Sequence, residues 1–147
     1  MVQTSPLARA VLRSTAPALI ICLLFQLFLG YRRDYLGHFA AGYGGTLCAI
    51  GVLLALIPVK MFSRFSSLGI VVCTIVCIAG GAVTEATVFR LAKFDEIDFC
   101  NQSLGAVLAG LATIHMADHL KPADNLLSST LAIGLIYLIA GTYFALT

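Results

Sequence analysis

The chain has no tryptophan and very little charge. Asp, Glu, Lys and Arg make up only 11% of its residues, against about 25% in an ordinary soluble domain. A surface so poor in ionised groups does not suit a water-exposed fold. The formal net charge of +2 is too small for the basic footprint of a nucleic-acid binder, so no nucleic-acid partner is expected. No Cys-x-x-Cys pair, glycine-rich nucleotide loop or nucleophile arranged for covalent catalysis is present, and the sequence names no cofactor. Cys22, Cys48, Cys73, Cys77 and Cys100 mostly sit inside apolar runs, where cysteine is usually a small packing residue. Without tryptophan, anchoring at a membrane–water boundary falls to Tyr31, Tyr35, Tyr43, Tyr137 and Tyr143 together with Arg and Lys.

What is present is apolar. The hydrophobic share is 60% over 147 residues and the mean hydropathy is +0.99. The expectation is an all-α integral membrane bundle of about five transmembrane helices, each near the about 20 residues a span needs. Residues 1–147 form one membrane domain, with no room for a separate soluble one.

Residues 1–15 form a basic N-terminal flank with Arg9 and Arg13. The first apolar run covers residues 16–31. It resembles a signal peptide, but no small-x-small cleavage site precedes Arg32, so it reads as a retained helix. Pro17 falls in its first turn, where a missing N–H does least harm, and Gln26 suits a helix–helix hydrogen bond. The second helix is expected over residues 35–57, ending at Pro58. Its Gly37, Gly42, Gly44, Gly45 and Gly51 allow close helix approach. Residues 59–66 read as a loop, 67–89 as the third helix, 90–97 as a charged connection and 98–117 as the fourth helix. Residues 118–124 read as a loop and 126–146 as the fifth helix. No internal repeat or coiled-coil heptad stands out.

Basic residues near the helix ends set orientation. Arg9, Arg13, Lys60, Arg64 and Lys121 collect on one side, and Arg32, Arg33, Arg90 and Lys93 on the other. Arg9 and Arg13 precede the first helix, which favours an N-terminus in the cytoplasm and a multi-pass protein of the inner (cytoplasmic) membrane.

Alternating helices bring the 1–2 and 3–4 connections to the same side. Asp34 and His38 are four apart, on one helix face, and so are Asp98 and Gln102. Glu85 lies near the end of helix three. These five residues are therefore expected at one membrane surface. Taken singly, Asp34 and Asp98 also suit ordinary helix caps. An ionisable group such as Glu85 inside a span is costly, which makes it a functional-site candidate by default. Such a cluster suits acid–base work, a divalent metal, or the head group of a lipid-linked substrate, with Arg32, Arg33, Arg90 and Lys93 receiving phosphates. His115 and His119, four apart, are weak metal candidates. Polar residues at a membrane boundary are the plainer reading there.

Asp-Tyr-Leu-Gly-His-Phe at 34–39, Glu85 and Asp-Phe-Cys-Asn-Gln-Ser-Leu-Gly at 98–105 resemble the VanZ-like family of small bacterial membrane proteins. The resemblance covers roughly residues 34–110 and matches at His38, Phe39, Glu85, Asp98 and Gly105. Gln102 stands where the family has Asn or Asp, and the helix over 126–146 lies beyond the family core. The same opening is also similar to that of a related set of small membrane proteins of unassigned function. The VanZ-like resemblance implies a cell-envelope role, the founding member being associated with low-level teicoplanin resistance, but supplies no reaction. Two functions follow as expectations. One is an envelope protein whose polar cluster binds a lipid-linked or cell-wall molecule. The other is a small accessory or structural subunit packed against a larger membrane complex. A third expectation is a proton-coupled transporter using Glu85.

Overall fold

A computed structural model describes residues 6–56, 59–87, 94–119 and 123–146, with the side chains of residues 6, 59–66, 123, 124 and 146 left undescribed. Five helices follow one another: α1 (Pro6–Phe28), α2 (Arg33–Leu56), α3 (Val59–Thr87), α4 (Glu96–His119) and α5 (Ala123–Leu146). The fold is all-α, and each helix contains a stretch long and apolar enough to cross a membrane. Large apolar side chains such as Leu23, Phe28, Val76, Leu111 and Ile139 point outward.

Two helices begin earlier than hydropathy suggests. Residues 59–66, expected as a loop, form the first turns of α3. Nothing between Val59 and Ser66 breaks a helix, so the backbone continues past the end of the apolar run. Likewise α1 starts ten residues before its expected boundary, inside the basic flank. Its polar residues fit a helix because their hydroxyls bond back to it. Ser14 Oγ donates to the Ala10 carbonyl at 2.8 Å, and Thr15 Oγ1 to the Val11 carbonyl at 3.0 Å. Pro17 therefore lies in the helix interior and not in its first turn. There the ring removes the bond that residue 17 would donate to the Arg13 carbonyl.

The bundle is built around α2. Half of its apolar stretch is buried, against 17% for α1 and for α3. Its most extensive partner is α5, followed by α4. The α2–α5 contact is an antiparallel seam of small residues. Gly37 meets Ala145, Gly44 meets the backbone of Gly134, Tyr137 and Leu138, and Gly51 meets Leu131. From the other side, Gly134 meets Cys48 and Gly141 meets Ala40 and Ala41. Seven residues separate Gly37, Gly44 and Gly51, as they do Gly134 and Gly141. That is a coiled-coil period carried by glycines, a heptad not evident when the sequence is read for apolar residues.

Small residues also set the α4 contacts. Gly105 rests on the backbone of Phe39 and Tyr43, and Gly42 on the backbone of Gln102. On the opposite face of α4, Gly110 receives Thr74 from α3. Phe39, Tyr43, Leu47 and Met116 are completely buried. Phe25 of α1 packs edge-on against Phe39 at 5.7 Å between ring centres, and Tyr43 lies 4.6 Å from Tyr137 of α5.

Candidate functional site

One end of the bundle gathers the start of α2, the end of α3 and the start of α4. The start of α4 is fixed by Asp95, whose Oδ1 accepts the backbone N–H groups of Ile97 at 2.9 Å and Asp98 at 3.2 Å. This is an N-cap. Asp98 is thus not the cap and is free to face α2, where Gly42 and Gly105 bring the two helices close. His38 Nε2 and Asp98 Oδ2 are 3.4 Å apart, with side chains 19% and 15% exposed. Glu85 rises from α3 only 7% exposed. His38, Asp95, Asp34 and Glu85 all lie within electrostatic range of the Asp98 carboxylate. Among the described residues no hydrogen bond or ion pair reaches Glu85.

Gln102 stands one helical turn beyond Asp98 and lies across Gly81, which is one turn below Glu85. A Cβ on Gly81 would sit 2.5 Å from the amide nitrogen of Gln102 and 3.2 Å from its oxygen. The missing side chain at 81 is what leaves room for the Gln102 amide against α3.

Asp34 turns elsewhere. Its carboxylate takes a bidentate bond from Arg32, Nη2 to Oδ2 at 2.9 Å and Nε to Oδ1 at 3.2 Å. The paired carboxylate holds the Arg32 guanidinium above its ordinary pKa. Arg32 also covers the ring of Tyr35 at 4.0 Å, a cation–π arrangement. Asp34 therefore contributes charge to the site without a bond to His38, and Arg32 is already engaged. Arg33 is exposed and lines a cavity of about 580 Å³ with Gln26, Leu36 and Tyr143. Gln26 is exposed there and makes no helix–helix hydrogen bond among the described residues. Arg90 and Lys93 lie outside the described residues.

Three polar atoms near the start of α4 are buried without a partner: Asp98 Oδ1, Asn101 Nδ2 and Ser103 Oγ. Buried polar groups are nearly always paired, so these atoms are where a bound molecule or water gains most. Asn101 was legible as a candidate, because three residues after Asp98 places it on nearly the same helix face. Carboxylate and imidazole acceptors beside amide donors suit a hydroxyl- or amide-bearing group. The His38–Asp98 pair has the form of an oriented base.

At the opposite end of the bundle, the rings of His115 and His119 lie 4.4 Å apart and His119 Nδ1 donates to the His115 carbonyl at 2.8 Å. Among the described residues no group of three or more His, Cys, Asp or Glu side chains is placed to hold a metal. All five cysteines are free thiols.

Family models, curated proteins and solved structures give no match to this chain.

Proposed function

We propose that the chain is a VanZ-like multi-pass protein of a bacterial cytoplasmic membrane, with its N-terminus in the cytoplasm. In this reading the end carrying His38, Glu85, Asp98 and Gln102 faces outward. It binds the polar part of a lipid-linked or cell-wall molecule, in a role like that of glycopeptide resistance. Asp34 and Arg32 form its rim.

The observation that carries this reading is the approach of His38 to Asp98 next to a buried Glu85 that has no partner among the described residues. Carboxyl groups withdrawn from water on two helices are expensive to keep unless they are used. Nearby, Asp98 Oδ1 and the Asn101 amide lack partners, which supports a ligand rich in hydroxyl or amide groups.

The test is a bacterial host scored for teicoplanin sensitivity with and without the chain. Expression should lower sensitivity. Glu85→Gln and His38→Ala should abolish the effect while the protein accumulates in the membrane to the same level. Activity that survives both substitutions would refute the polar end as the working site.

A second reading, a subunit of a larger membrane complex, draws on α3. Nothing lies within 4 Å of where a Cβ would stand on Gly69 or Gly80, and Val72, Val76 and Val83 are exposed on the same helix. Small residues let a neighbouring helix approach. Here Gly80→Leu, not Glu85→Gln, should release a co-purifying partner.

A further inference from the structure

The end of the bundle away from His38 and Asp98 holds a second set of features that the proposed function does not use. The N-terminal part of α1 crosses the C-terminal part of α4, and two cavities lie along the crossing. One of about 170 Å³ is lined by Arg9, Ala10, Arg13, His115 and His119. The other, of about 230 Å³, continues inward between Pro17, Ala18, Leu108 and Leu111 as far as Tyr43. Arg13 and His115 line both cavities, so the two meet at that pair.

The outer cavity is cationic. Arg9 and Arg13 are one turn apart on α1 and exposed, and neither forms an ion pair among the described residues. The guanidinium fork matches phosphate oxygens, and the imidazoles opposite add donors. Past Arg13, Ser14 and His115 the inner cavity is lined by apolar side chains, with Tyr43 at its far end. Tyr43 is completely buried and its hydroxyl has no partner. A free phosphate would leave the inner cavity empty. A neutral lipid would leave the two guanidinium groups unanswered. An amphiphile with an anionic head satisfies both.

We propose that the α1–α4 crossing binds an anionic phospholipid. Its phosphate lies between Arg9, Arg13 and His115, and an acyl chain runs over Pro17 and Leu111 towards Tyr43. The proposal rests on the membrane-spanning reading but is independent of the polar end.

The test uses the full chain purified in a neutral detergent, with bound lipid counted by native mass spectrometry as phosphatidylglycerol or phosphatidylcholine is added. Phosphatidylglycerol should bind at least about tenfold more tightly, since each basic residue near a charged lipid contributes on the order of a fivefold factor. The double variant Arg9→Gln/Arg13→Gln should bring the two lipids to near equality. Circular dichroism checks that the double variant folds, which is expected because both side chains are exposed. Glycerol 3-phosphate should not displace the lipid. Equal binding of the two lipids by the unaltered chain would overturn the proposal, as would a preference that survives the double variant. Displacement by glycerol 3-phosphate would make the site one for a soluble anion. Retention of the chain in membranes after an alkaline wash tests the membrane reading separately.

Discussion

Gly44 and Gly45 are adjacent in the sequence yet should respond oppositely to alanine. A Cβ on Gly44 would run into the Leu138 backbone nitrogen and stand 2.6 Å from the Gly134 carbonyl oxygen and 2.8 Å from the Tyr137 carbonyl carbon. All three are backbone atoms of α5, so no rotamer change relieves the clash and the helices must separate. A Cβ on Gly45 would meet only the end of the Leu138 side chain, at 3.9 Å, an ordinary contact. Both substitutions share the gain of about 1 kcal/mol in helix propensity and the same effect on the unfolded chain. Their difference isolates the packing penalty, about 1–3 kcal/mol for overfilling a close contact. For a chain of this size that is a gap of roughly 3–10 °C in melting temperature, with Gly45→Ala at or above the parent. Far-ultraviolet circular dichroism of the three proteins in one detergent measures it. The labelling rate of Cys48, which lies against Gly134 on the same seam, provides a second readout and should rise only in Gly44→Ala. Equal melting temperatures for the two variants would refute the seam as the element that holds α5 to α2.

Pro17→Ala restores an interior helical donor, and since proline there costs about 3 kcal/mol the variant should melt higher than the parent by several degrees. Asp95→Ala removes the α4 cap and should lower stability by about 1 kcal/mol, while Asp95→Asn should lose little, both read from the same melts. Arg32→Gln strips Asp34 of its bidentate partner. Because this pair is largely exposed, with side chains near 40% accessible, stability should change by less than about 1 kcal/mol. Reducing agent should leave the melting temperature unchanged, because no two of the cysteines are joined.

Much of the architecture was legible because hydropathy reports the buried or lipid-facing length of a helix directly. It reports helix ends poorly. The basic flank of α1 and residues 59–66 are helical although polar, since Ser14 and Thr15 satisfy their hydroxyls within the helix and nothing in 59–66 breaks the backbone. Misplacing the start of α1 also misplaced Pro17. The glycines of α2 were legible as packing residues but their partner was not. Gly42 and Gly45 lie between the seam positions and hide the seven-residue spacing, and Gly42 serves a different neighbour, α4. For the polar end, alternation of spans was enough to put the ends of α2, α3 and α4 together, but not to say which charges pair. Asp34 chose Arg32, two residues away, over His38 one turn along its own helix. Asp95 had a readable cap signature in its position just before the apolar period of α4, and identifying it would have freed Asp98 for another role from the start. The contribution of Gly81 was not readable at all, because it depends on a Gln102 side chain from another helix.

The central helix has its largest partner in the last of the five helices, so the bundle closes late. During synthesis α2 enters the bilayer with one flank bare. In chain order α4 becomes available to it before α5 does. Until then the glycine row from Gly37 to Gly51 faces lipid or whatever hydrophobic segment arrives first. A chain interrupted after α4 would thus carry an open, self-adhesive edge, and such fragments should be prone to pairing with one another or to capture by membrane quality control.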